Sequence, residues 1–279
     1  MELGLASATA MIFLGLGLIE LVIGDKNQAK HYFRQCFFVL AWVWAIYMAL
    51  YIADQVYAQT ELASYYSGTV KGAWDILGEK AKVFNKVVNR ATEWIQAEYT
   101  IETMLRFTIV LDPLADSLRS ASGPWLFILN IFVVPTFLFL TLLTRALAGW
   151  GEILLTIGAG LIPVPKLRKI GAFLFSVYLV YAPLLVMMAN YTQTQLDRTE
   201  SPVTALLVPK LTPEDLLKFI LGGAGGYFLK ISSFVSELAK NTWLLADALI
   251  ACTLAFSIGP AIAVGLAQGF EGVAARLGI

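Results

Sequence analysis

Three bases, Lys166, Arg168 and Lys169, crowd the turn that follows Pro163 and Pro165. Cations on a turn between apolar stretches can hold phosphate groups, on lipid or along a nucleic-acid backbone, and release counterions as they do so. They also fix orientation, because basic residues flanking membrane segments stay in the cytoplasm. Arg145 stands before this turn across a short apolar segment, and Arg145, Lys166, Arg168 and Lys169 together would form a cytoplasmic basic entrance. Glu152 would share a face with Arg145 if the chain between them were one helix. That pairing can serve as an ion pair anchoring the segment, or Glu152 can line a polar pathway.

Chemistry of other kinds is scarce. His31 is the single histidine, so histidine-pair zinc motifs are excluded. No G-x-x-x-x-G-K-[ST] occurs, and the glycine run Gly222–Gly226 lacks the lysine and the preceding strand of a phosphate loop. Cys36 and Cys252 fall inside apolar runs and read as small buried hydrophobes. No catalytic residue, metal site or cofactor is expected, and energy for any transport would come from a partner or a gradient.

The elements that must position these residues are membrane helices. The chain is 58% hydrophobic and 14% charged with no net charge, whereas soluble domains are about a quarter charged. Five runs are long enough to cross the bilayer as helices: Leu3–Ile23, Cys36–Tyr57, Pro124–Thr144, Ile170–Ala189 and Trp243–Ala267. Glu2 stands where a secretory signal would be basic, so the first run reads as a retained span. Lys26, Lys30 and Arg34 place the first linker, Gly24–Gln35, in the cytoplasm and the N-terminus outside. Regions 58–123 and 190–242 then lie outside, and the C-terminus is cytoplasmic. Ala146–Pro163 is too short to cross and is broken by Gly158, Gly160 and Pro163. It reads as a re-entrant or interfacial segment that leaves Arg145 and Lys169 on one side. Phe219–Leu229 is a second re-entrant element, a hairpin packed against the spans, or a sixth crossing.

The expected fold is therefore all-α and multi-pass: one integral domain over 1–279, about five spans, one or two re-entrant segments and a long extracytoplasmic amphipathic helix. That helix covers Ala63–Ile95, where apolar residues alternate at four and three positions. Its seam includes Val70, Trp74, Leu77, Phe84, Val88 and Ile95. It must bury against a helix of the same chain, a helix of another copy, or lipid headgroups. The last span carries small residues in rows, Ala251, Ala255, Gly259, Ala263 and Ala267, then Ala261, Gly265 and Gly269, which let membrane helices approach closely. Glu20, Asp54 and Asp247 lie near span ends, where acids reach for the headgroups.

The layout resembles the polytopic inner-membrane subunit of type IV secretion systems, the TrbL-like conjugation proteins. The short apolar segment, the prolines, the basic turn, Ile170-Gly171-Ala172 and Pro183 resemble more narrowly the archaeal Ced-type DNA-import relatives of that subunit. The resemblance covers about residues 124–267. It implies a homo-oligomeric channel or platform for single-stranded DNA in the plasma membrane, working with pilin-like subunits and a secretion-type ATPase. The alternatives are a small-solute or ion transporter, and a non-conducting structural scaffold.

Overall fold

The computed structural model describes residues 4–59, 68–107, 112–164, 166–202 and 225–276. It is all-α. Among the described residues seven helices follow in order: α1 (Gly4–Ile23), α2 (Lys26–Ala58), α3 (Val70–Arg106), α4 (Asp112–Ala148), α5 (Gly151–Leu161), α6 (Arg168–Asp197) and α7 (Gly225–Arg276). Four are long and apolar enough to cross a membrane: α2, α4, α6 and the Ile231–Val273 part of α7. The chain is thus a helical membrane protein. The first expected span, Leu3–Ile23, is helical from Gly4 to Ile23, and Ser7–Ile23 is its apolar described part. Of the expected segment Phe219–Leu229, residues 219–224 lie outside the described residues and 225–229 open α7; Ala63 also lies outside them.

The expected first linker is mostly helix. Gly24 takes φ +98°, a left-handed conformation that favours glycine, and ends α1. Asp25 then caps α2, its Oδ1 accepting from the backbone N–H of Asn27 at 3.1 Å and of Gln28 at 3.0 Å. Capping carries the helix through the polar turns bearing Lys26, Lys30 and Arg34, which an apolar count alone leaves as loop. Asp25→Ala should cost about 1 kcal/mol of stability, read as a lower melting midpoint in detergent with the fold unchanged.

Two compact units divide the chain. One comprises Met1–Gly78, Thr144–Met187 and Leu254–Ile279; the other comprises Glu79–Leu143 and Met188–Thr253. In the first, α1 folds back on α2, with Ala10, Cys36 and Val39 buried against Phe13 and the Phe33 ring lying over Gly17. Asp54, near the end of α2, accepts a 2.7 Å hydrogen bond from the Val70 N–H. It therefore satisfies an orphan donor at the start of α3 rather than a headgroup. Gly259 and Ala263 of α7 are buried, the former against Leu184 of α6, so one small-residue row is used within the chain. Ala261, Gly265 and Gly269 face outward, and Ala251 and Ala255 are half-buried.

In the second unit α3 and α4 run antiparallel, a register fixed by Phe84 against Phe137 (ring centroids 6.1 Å apart) and by Ser122 donating to Glu98 at 2.7 Å. Within α4 the turn Leu129–Val133 widens to π-helix just before Pro135, which has no N–H for Ile131. The α6 and α7 portions are also antiparallel. Asp247 of α7 accepts from Tyr191 Oη at 2.6 Å and Gln195 Nε2 at 3.0 Å, and Asn241 accepts from the Glu200 N–H at 2.8 Å. Asp247, expected to reach for headgroups, is held instead by neighbours on α6.

Candidate functional site at the broken helix and the polar face of α3

The segment after Arg145 is built on three glycines. A Cβ on Gly158 would lie 2.6 Å from the Phe175 N atom, and one on Gly171 would lie 2.7 Å from the Ile162 N atom. These two contacts set α5 antiparallel on α6, backbone against backbone, as small residues permit in membranes. One on Gly151 would lie 2.9 Å from the Trp74 indole, which stacks on Tyr178 at 5.4 Å and donates to the Tyr178 carbonyl at 2.9 Å. Ala148, the last residue of α4, meets Gly78, one turn further along α3.

The order Ala148, Gly151, Gly158, Ile162 therefore advances steadily toward the start of α6. The last turn of α4 and the whole of α5 run one way, broken at Gly149–Trp150. This differs from the expectation of a segment that dips in and returns to the level of Arg145. Since α5 alone is 11 residues long, Arg145 sits on the order of 20 Å from the basic turn along the helix axis. The four bases are not brought together. Lys166 and Lys169 are exposed at the tip of the α5–α6 hairpin and Arg168 is half-buried there. Lys169 Nζ lies 3.8 Å from Glu271 of α7, which puts the basic turn and the end of α7 at the same level.

Arg145 and Glu152 are both exposed, and no ion pair joins them among the described residues. The break removes the continuous helix that their spacing requires. Glu152 instead joins Asp54 and Asp75 near enough to Tyr178 for all three carboxylates to act on its hydroxyl. No three such ligands converge tightly enough to hold a metal ion among the described residues.

The seam of α3 is filled from within the chain. Val70, Trp74, Leu77, Phe84 and Ile95 are buried and Val88 is half-buried, so these side chains do not form an outward oligomer surface. The opposite face of α3 is polar and exposed: Glu79, Lys82, Lys86, Asn89, Glu93 and Gln96. The α3–α4 register lays this face beside the apolar run of α4, whose Phe127, Ile131, Phe132, Leu138, Phe139 and Leu142 are exposed. Sequence periodicity contains both faces, but not their shared level, which depends on contacts between residues far apart in the chain. If α4 faces lipid there, α3 lies at membrane depth beside it rather than outside as expected, and its polar face cannot meet lipid. A lysine in the hydrocarbon centre costs roughly 3 kcal/mol, so Lys82 and Lys86 alone would forfeit about 6 kcal/mol, comparable to the whole stability of a domain.

A further feature lies one seam step beyond Ile95. Glu98 is completely buried and Ser122 serves one of its oxygens, while Oε2 has no partner. Burial pushes the Glu98 carboxyl above the usual carboxylate range; the Ser122 hydrogen bond pulls it back, Glu102 raises it and Arg119 lowers it.

No family model, curated protein or solved structure matches this chain significantly.

Proposed function

We propose that the chain is the membrane subunit of a DNA-transfer machine, conjugation-like and related to type IV secretion. It assembles with copies of itself into a channel or platform in the plasma membrane. The observation that carries this reading is the exposed basic turn at the tip of the glycine-locked α5–α6 hairpin. A rigid hairpin presents Lys166 and Lys169 at fixed positions, so phosphates can be held without ordering a loop first. Basic flanks assign that tip, and with it the end of α7, to the cytoplasm. Single-stranded DNA as cargo, and pilin-like and ATPase partners, come from the family resemblance.

Arg168→Glu together with Lys169→Glu should lower DNA uptake by at least tenfold in cells while membrane insertion and protein level stay unchanged. Uptake at the wild-type rate would remove the turn from the mechanism. A second reading, a cation transporter, is favoured by three acids of one compact unit, Asp54, Asp75 and Glu152, whose charges act on Tyr178 beside the helix break, since discontinuous membrane helices form ion sites. It predicts that Asp54→Asn with Glu152→Gln abolishes ion flux into vesicles and leaves DNA uptake intact.

A further inference from the structure

We infer that the polar face of α3 is the wall of a water-filled passage enclosed by several copies of this chain. The inference rests on the self-assembly proposed above and adds the surface that faces the passage; it does not depend on the cargo. The exposed apolar side chains of α4 and the exposed charged side chains of α3 occupy one level of the same compact unit. One helix cannot be wetted by water and the other by lipid at that level unless something separates the two solvents. More protein can do so, because non-lipid surface at membrane depth is tolerated where it lines a cavity.

The charges argue for water over a dry contact between α3 helices. Copies related by an axis along the membrane normal carry their α3 helices parallel and in register. Lys82 and Lys86 of one copy then face the same residues of the next, with Lys80 and Arg90 on adjoining turns and acids only at Glu79 and Glu93. Like charges at contact repel in a low dielectric, whereas a hydrated gap screens them. Lys80 is already engaged, its Nζ donating to Asn190 Oδ1 at 2.7 Å, and Arg90 lies 3.8 Å from Glu93. Lys82 and Lys86 are thus the cations exposed at the centre of the stripe. The second copy is the occupant that symmetry and charge favour, since it supplies enclosure without presenting lipid to the lysines.

The test uses full-length protein with Cys36 and Cys252 replaced by alanine, reconstituted in planar bilayers of neutral lipid and, separately, sized in nanodiscs. Cysteines at Lys82, Lys86 or Ile131 are treated with a bulky, water-soluble methanethiosulfonate. The inference expects more than one copy per particle and at least a twofold fall in conductance on modification at 82 and 86, with no change at 131. Single copies only, absence of conductance, or equal effects at 131 and 86 would overturn it. If the block at 86 appears while the Arg168/Lys169 reversal leaves DNA uptake unchanged, the cargo reading fails alone and the passage stands.

Discussion

Gly158→Leu should separate α5 from α6. The new Cβ would meet the Phe175 N atom at 2.6 Å, its Cα at 3.0 Å and the Leu174 carbonyl carbon at 3.1 Å, all backbone of α6. Backbone inside a long helix cannot swing aside as a side-chain tip can. The loss should therefore exceed the ~1–3 kcal/mol typical of overpacked cores, and lower the melting midpoint in detergent by on the order of 10 °C. The same change at Gly265, where nothing lies within 4 Å of a Cβ, should leave the midpoint unchanged. Equal midpoints for the two variants would mean that the glycines do not hold the hairpin. On the proposed DNA-transfer reading, uptake should also fall in Gly158→Leu even though every base of the turn is intact, because a detached hairpin no longer fixes Lys166 and Lys169.

Replacing Glu98 with glutamine should stabilise the protein at neutral pH. Its folded-state carboxyl titrates above the unfolded value, with burial as the leading cause. The folded chain thus holds a proton that the unfolded chain releases. Stability from this group is complete below the unfolded pKa, near 4.3, and is lost as pH rises through the folded value. Glutamine keeps an oxygen for Ser122 and carries no charge at any pH. At pH 7 to 8 the variant should be more stable by roughly 1–3 kcal/mol, the cost of an unsatisfied buried polar group, and this advantage should vanish by about pH 4. Melting midpoints of both proteins from pH 4 to 8 measure the difference, which a constant offset would contradict. The surrounding charges, Glu102 and Arg119 nearest and Arg106, Asp112 and Asp116 linked to them, are the same in both, so the comparison isolates residue 98.

Much of the architecture was legible in the chain because burial in lipid and burial in a core leave different patterns. Continuous apolar runs disclosed α2, α4, α6 and α7, and the alternating spacing around Trp74 and Phe84 disclosed the buried stripe of α3. Local polar signals are more ambiguous, because a polar side chain near a span end can serve water, headgroups or backbone. Asp54 and Asp247 look like acids near headgroups until the groups that donate to them are seen. Arg145 and Glu152 look like partners because helical spacing was carried across Gly149 and Trp150, where the helix stops. Spacing alone leaves the stripe to a helix of the same chain, a helix of another copy or lipid headgroups, and α4 and α6 fill it from inside: Phe84 meets Phe137, and Trp74 meets Tyr178. Glu98 shows the limit most clearly: the four-and-three spacing of α3 continues from Ile95 to position 98 and so puts it on the buried stripe, but its partner Ser122 lies 24 positions away on another helix.

Solvent exposure at Lys86 and Ile131 tests most directly whether one level of this protein carries both a watery and a lipid face. Single cysteines at these positions, with Cys36 and Cys252 removed, can be offered a polar, membrane-impermeant maleimide and then a lipid-soluble one in native membranes. Rapid labelling of position 86 by the polar reagent, and of 131 by the lipid-soluble reagent alone, is the predicted result. Equal labelling of both positions by the polar reagent would take α4 out of the bilayer, and the passage built beside it would be contradicted.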